Sequence, residues 1–269
     1  MPEPTQGNAL TTPDFWGDEF WKLNRDAVPE LEIDPDHREF SWLHRFLQQH
    51  LPRRPDARLL ELGCHPGRYL WYFHTYFGYE VEGVEYVAPA AELTHQALKA
   101  HDIEVPIHAA DLFDFQPDSD ELFDVVCSFG VVEHFADVEP VIRRHGELAR
   151  PGGLVVIAIP NHAGVNGTVL KWIQPEVYAV HNHMSFRDLK DAIDANAELD
   201  YVAGGYLGHF SLAPSNLCPH LRQRLPWKVY ALFERIYNGC VRVAHYLPNS
   251  RWFSPNAVVV ARRRSHDTR

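Results

Sequence analysis

The chain is poor in several features that mark common protein classes. Its four cysteines, Cys64, Cys127, Cys218 and Cys240, form no C-x-x-C pair, which argues against a redox motif or a zinc ribbon and reads as reduced thiols. No apolar run approaches ~18 residues, so no membrane-spanning helix is expected. Positive charge is scarce: 25 Lys and Arg stand against 36 Asp and Glu, for a formal net charge of -11. Phosphate binding normally shows as a basic stripe, so nucleic acid is not expected as a partner, and neither is a membrane. The one basic cluster, Arg262-Arg263-Arg264, follows the last apolar run and reads as a solvated end or a contact with an acidic partner. The start, Met1-Pro2-Glu3-Pro4-Thr5, has neither a basic nor an apolar segment of secretory type, which makes the cytoplasm the default location. Internal repeats and low-complexity stretches are missing as well.

What is present is alternation. With 269 residues, 45% of them hydrophobic, and a mean hydropathy of -0.30, the chain suits one large soluble domain with insertions or a small cap. Residues 58 to 67, Arg58-Leu59-Leu60-Glu61-Leu62-Gly63-Cys64-His65-Pro66-Gly67, read as a buried strand emptying into a glycine-bracketed turn. Tyr69 to Phe77 then carry apolar residues on helical spacing. Such a turn lets backbone approach a ligand closely and presents free N–H groups at a helix N-terminus. A second strand, Tyr79 to Glu85, ends in a carboxylate placed for ribose hydroxyls. The full dinucleotide fingerprint G-x-G-x-x-G is lacking, which disfavours a nicotinamide oxidoreductase.

Glu61-Leu62-Gly63-Cys64-His65-Pro66-Gly67 resembles the first motif of class I S-adenosylmethionine-dependent methyltransferases, with His65 where that family usually has its central glycine. Val84-Glu85-Tyr86 resembles the family's ribose-binding strand end, Ala109-Ala110-Asp111-Leu112 its adenine-contacting segment, and Leu148 to Gly153 the turn before its fifth strand. The resemblance implies S-adenosylmethionine as cofactor, with contacts from Glu61, Gly63, Cys64, His65, Gly67, Glu85, Tyr86, Asp111, Leu112, Ser128 and Phe129. It also implies an α/β fold: a Rossmann-like seven-stranded methyltransferase sheet with helices on both faces. An N-terminal helical cap is expected over 1–50 and a cofactor domain over 51–269, with insertions at about 161–184 and 211–255. The N-terminal aromatics Phe15, Trp16, Phe20 and Trp21 either pack or roof the cofactor.

Acceptor chemistry is expected beyond the fourth and fifth strands, because open α/β sheets bind ligands at strand carboxyl ends. Ser128-Phe129-Gly130-Val131 lacks the Asn/Asp-Pro-Pro-aromatic element of base-methylating relatives, which favours a small-molecule acceptor. Glu133-His134 resembles the E-H of ubiquinone-pathway O-methyltransferases, where E-x-x-E-H goes with a divalent ion. Gly130 replaces the first Glu, and no metal is expected. His134, His181 and His183 are the candidate catalytic side chains, expected to converge over the sulfonium methyl, with His134 slightly favoured as base. The reaction implied is methylation of an oxygen, nitrogen or carbon. Two alternatives are a different outcome on the same cofactor, such as aminocarboxypropyl transfer or cyclisation, and binding without catalysis. An amphipathic run from Pro226 to Cys240 packs on the core, closes a pocket or pairs subunits, which leaves a homodimer open.

Overall fold

The computed structural model describes residues 8–20, 29–37, 40–117, 122–244 and 246–265. Trp21, one of the N-terminal aromatics, lies outside the described residues, as does the side chain of Phe20. A single wide helical turn, Phe15–Phe20, precedes α1 (Ser41–His50), β1 (Arg58–Leu62), α2 (Arg68–Phe77), β2 (Glu80–Glu85), α3 (Ala88–Lys99), β3 (Ile107–Ala109) and β4 (Phe123–Phe129). Then come α4 (Glu139–Leu148), β5 (Ala149–Pro160), α5 (Val165–Ile173), α6 (Pro175–Ala179), α7 (Phe186–Ala195), β6 (Leu199–Leu207), α8 (Leu217–Arg224), α9 (Trp227–Ala244) and β7 (Asn256–Arg263).

The strands form one sheet of seven in the order β3-β2-β1-β4-β5-β7-β6. Strand side chains alternate between faces, so each apolar pair in sequence feeds two cores. Leu59, Val125, Val156 and Val258 pack on one face against Leu43 and Leu47 of α1, Leu70 and Phe73 of α2, and Leu98 of α3. Leu60, Val126, Val155 and Val259 pack on the other against Ile142 of α4 and Leu189 and Ile193 of α7. Continuous apolar strands are what a sheet covered on both sides requires. The α/β expectation is met, and α1, from the stretch expected as a cap, shares its core with the sheet.

Chain order reverses direction between β1 and β4, which opens the crevice where such sheets take ligands. At the other edge, β7 is antiparallel to both β5 and β6, and Leu207 at the end of β6 pairs with Asn256 at the start of β7. Residues 208–255 therefore form one long insertion into a β-hairpin, and it emerges on the crevice side. The three arginines at the end of β7 are structural: Arg262 donates to the Gly152 carbonyl, Arg263 to those of Glu147 and Ala149, and Arg264 pairs with Asp200 at 2.8 Å.

At the opposite end of the sheet Asp124 ties three segments together. It accepts from the Arg58 N–H at 3.0 Å, from Arg54 at 3.0 Å and from Arg150 at 2.6 Å. Burial pushes its pKa up, but the Arg58 N–H and the arginines outweigh this and leave it below the usual carboxylate range. Asp124→Ala should lower stability by about 2 kcal/mol, the scale of a hydrogen bond to a charged group. Urea denaturation checks this, and an unchanged midpoint would show that the arginines find other partners.

Candidate active site

The first strand delivers Glu61 and a turn that only glycine can make. Gly63 has φ +71°, and a Cβ there would meet Val131 Cγ2 at 2.5 Å, while Gly67 has φ +98° as α2 begins. Both angles lie in the left-handed region that L side chains avoid. Glu61 is 2% exposed, and the Leu70 N–H in the first turn of α2 donates to its carboxylate. Its Oε2 has no hydrogen-bond partner. Burial, and next the charge of Glu85, push the Glu61 pKa well above the carboxylate range. Glu85 accepts from the Val87 N–H at 3.0 Å and the His65 N–H at 3.4 Å. Burial still raises it to about 7. A buried site with two carboxylates and one orphaned oxygen favours a cationic ligand with donors, and the amine-bearing sulfonium S-adenosylmethionine fits that description.

The other expected cofactor residues divide. His65 contributes its N–H, whereas its ring turns to α3, with Nδ1 3.0 Å from Thr94 Oγ1 and 3.2 Å from the Ala90 carbonyl. Cys64 is buried, and burial drives its thiol pKa up. Asp111 spends Oδ1 on the Phe113 N–H at 2.9 Å, making its own turn, and the Leu112 carbonyl accepts from Arg144. Tyr86 lies near Glu85, Asp111 and the Thr11 hydroxyl, and burial raises its phenol pKa. Ser128 does not present its hydroxyl to the crevice: it is fully buried and 2.9 Å from His145 Nε2. His145 Nδ1 donates to the Val141 carbonyl, so the hydroxyl donates to Nε2. Phe129 is half-buried and stacks on Tyr69 at 3.7 Å. The N-terminal segment packs against the turn that follows β4. Trp16 donates to Thr11 and meets the His134 ring edge-on at 4.6 Å, while Leu10 N–H bonds the His134 carbonyl.

Beyond β4 and β5 lies a cavity of about 340 Å³ lined mostly by aromatic and apolar side chains, among them Phe40, Trp42, Tyr69, Phe129 and Pro214, with Asn256, and with Glu133 as the one charged residue among the described residues that line it. None of the three expected histidines lines it. They gather instead behind Glu133. The rings of His134 and His181 are 4.4 Å apart, His162 is 4.7 Å from His181, and His183 stacks on Tyr178 at 3.7 Å. Asn182 locks this loop to the Glu133 turn, its N–H reaching the Glu133 carbonyl at 2.6 Å and its amide the Phe135 carbonyl. His181 Nδ1 and His183 Nε2 both engage backbone carbonyls of α6.

Burial decides protonation here. It lowers His134 to about 3 and His162 to about 3, with His181 adding in both cases, and raises Glu133 to about 8. His134 Nε2 and Glu133 Oε1 are 3.8 Å apart, yet with a neutral imidazole this is not an ion pair. Imidazole held at about 3 is a poor base at neutral pH, which weighs against His134 in that role. Glu133 and His162 are the residues that sequence reasoning passes over. The E-H pair is the available signal for Glu133; nothing marks His162. The donors of Glu133, His134 and His181 also lie within 4.8 Å of one another. Taken one at a time along the sequence, these donors conceal a set that a transition metal or zinc could use.

Residues 36–203 match the methyltransferase domain family. The chain belongs to that family. The resemblance to class I S-adenosylmethionine-dependent methyltransferases is thereby borne out. Among curated relatives, this methyltransferase is 29% identical over 153 residues to a ubiquinone biosynthesis O-methyltransferase of Mesorhizobium japonicum, covering 53% of this chain and 59% of the relative. The chain thus spans a little over half the length of that relative. Among solved structures, the geranyl diphosphate C-methyltransferase of Streptomyces coelicolor aligns over 94% of this chain and 98% of its own, with TM-score 0.57 and 20% identity. The [4+2]-cyclase SpnF aligns over 87% and 86%, with TM-score 0.58 and 13% identity. At these identities the two structures speak for the fold.

The buried groups give this methyltransferase a defined pH response. His134, His145 and His162 have depressed pKa values, so their contribution to stability is lost as pH falls below the unfolded value of about 6.5. Glu61, Glu85 and Glu133 have raised values, so the folded state holds protons more tightly and stability falls as pH climbs from 4.5 through about 7 and 8. Between pH 6.5 and 8 only the carboxylates act. The ligand-free Tm should fall across that window, and Glu85→Gln should flatten part of the fall; a Tm that rises instead would show the carboxylates ionised near 4.5.

Proposed function

We propose that the protein transfers the methyl group of S-adenosylmethionine to a small, largely apolar acceptor bearing one ionisable oxygen or nitrogen. The observation that carries this reading is Glu133, buried at 2% exposure with an orphaned oxygen in the wall of an otherwise apolar cavity beside the cofactor turn. The cofactor supplies an electrophilic methyl on sulfur. Glu61, Glu85 and the Gly63–Gly67 turn hold it; Tyr86 and Asp111 border the ribose and base. The aromatic walls exclude water and orient the acceptor, which contributes most where two reactants must align. Ionised Glu133 takes the acceptor proton as the new bond to carbon forms and the sulfur–carbon bond breaks, the electron pair returning to sulfur. A carboxylate poised near 8 suits that task at neutral pH. His134, His181 and His162 stand behind it, uncharged, and keep its surroundings at low dielectric. Among the described residues the cavity wall holds no basic side chain, which favours neither a nucleic acid acceptor nor a phosphate-rich one.

Glu133→Gln keeps the shape and removes the proton acceptor, so turnover should drop by ~10²–10⁴-fold with cofactor affinity unchanged. The wild-type rate should rise along an acid limb toward pH 8. Retained turnover in this variant would end the assignment of Glu133 as base.

The clustered donors support a second reading, in which a divalent ion on Glu133, His134 and His181 holds the carboxylate ionised and orients the acceptor oxygen. The two readings part on one measurement. A chelator should leave activity and its pH limb untouched if Glu133 is a free base. Loss of activity that zinc or another transition ion restores, together with His181→Ala mimicking the chelated enzyme, would establish the metal reading instead. Release of methylthioadenosine in place of S-adenosylhomocysteine would replace methyl transfer by another outcome on the same cofactor.

A further inference from the structure

The long insertion between β6 and β7 lies beyond the residues that match the family, and its main helix α9 is apolar over more of its circumference than it buries. Tyr230 and Ala244, each 6% exposed, mark the face turned toward the protein, and the Tyr237 hydroxyl accepts from the Leu212 N–H at 3.0 Å. On the flank beside that face, Val229, Leu232, Ile236 and Val243 are 50%, 60%, 59% and 69% exposed. At ~100° per residue these four fall within an arc of about 60°, a continuous stripe running the length of the helix. A stripe of large apolar side chains left in water is not scattered surface hydrophobicity; it marks a docking face.

Charge identifies what docks. Lys228, Arg235 and Arg242, all exposed, recur every seven residues and so form a row along one flank of the stripe. The whole insertion 211–255 holds six Lys and Arg against the single acid Glu234, in a chain whose net charge is -11. This segment thus carries a formal charge of +5 (6 - 1) against -16 (19 - 35) for the rest of the chain. Trp227 opens the helix at 67% exposure and Trp252 follows it at 55%, and Trp is the side chain suited to a boundary between apolar and wet surroundings. An antiparallel pairing of two α9 stripes would set the basic row of one copy beside that of the other, which like charge disfavours. No helix among the described residues is long and apolar enough to cross a membrane, so the surface lies on its partner and does not span it.

We propose that the outward stripe of α9, with its basic row, docks this protein on the surface of an anionic lipid bilayer. The expectation of no membrane partner rests on net charge and the lack of a long apolar run, and neither registers a basic row beside an exposed apolar stripe on a single helix. Docking in this orientation brings the Leu212–Ser215 turn, whose Pro214 lines the acceptor cavity, close to the lipid. Docking draws on the helix surface alone and does not depend on the chemistry inside the cavity.

The test is co-sedimentation of the full chain with vesicles of phosphatidylcholine, with and without about a third phosphatidylglycerol. Binding is expected to the anionic vesicles only and should weaken as salt rises. Replacing Lys228, Arg235 and Arg242 by Gln should weaken it by about fivefold per cation removed. Leu232→Glu and Ile236→Glu should abolish it. All these positions are exposed, and circular dichroism and Tm matching wild type confirm that each variant folds; Val243→Glu replaces any that does not. Equal recovery with neutral vesicles, or none with either, overturns the proposal. So does light scattering that shows a wild-type dimer which Leu232→Glu converts to monomer, since the stripe would then be occupied by a second copy.

Discussion

Two carboxylates withdrawn from water, Glu61 on β1 and Glu85 on β2, set the terms for the rest of the crevice. Each is 2% exposed, and a buried carboxylate must either be satisfied or lose its charge. Their partners are the backbone of the turns that follow their own strands: the Leu70 N–H at the start of α2 for one, the Val87 and His65 N–H groups for the other. The same groups that cost energy to bury therefore fix where α2 and α3 begin. That fixes the glycine turn at the carboxyl end of β1, beside its paired neighbour β4 at the switch in strand order. The protein keeps the cost low by letting both sites hold protons near neutrality, and a cationic ligand would remove the need for them.

Much of this is legible in the sequence, for a definite reason. The inner strands β1, β4, β5 and β7 carry apolar runs bounded by turns or amphipathic helices, and burial on both faces leaves little polar alternation along them. Glu61, Gly63, Gly67 and Glu85 are legible because backbone geometry demands those residue types at those points. Side-chain direction is not. Ser128 lies at the carboxyl end of β4, where strand position suggests a ligand contact, yet the pleat turns it under α4 to His145. His65 sits in the turn itself, yet its ring reaches back to Thr94. A period of two decides such questions, and a one-residue choice of face is below what spacing at a strand end can resolve.

The histidines escape sequence reasoning for a different reason. Their place beyond adjacent strands brings them together in outline, and His134 and His181 do meet at 4.4 Å, but the chemistry depends on how dry the meeting place is. Water exclusion is a property of the assembled loop, Asn182 clamping residues 181–183 onto the Glu133 turn and Trp16 closing from above. Once dry, imidazoles lose their protons and carboxylic acids keep theirs, so the protonation expected of His134 and Glu133 at neutral pH shifts without any change in the residues present. No spacing in the chain carries that information.

The two ends of the crevice then impose opposite demands on the same sheet. The cofactor end needs backbone, held rigidly by glycine geometry and strand pairing. The acceptor end needs an apolar cavity and so recruits side chains from distant parts of the chain: Phe40 and Trp42 from the α1 region, Tyr69 from α2, Pro214 from the hairpin insertion. That insertion can reach the cavity because β7 runs antiparallel, which returns the chain to the crevice side before it enters the sheet for the last time. Had β7 run parallel to β5, residues 208–255 would have had to cross to the amino ends of the strands, and Pro214 would not line the cavity. The strand direction thus makes one segment serve both as cavity wall and as outward surface.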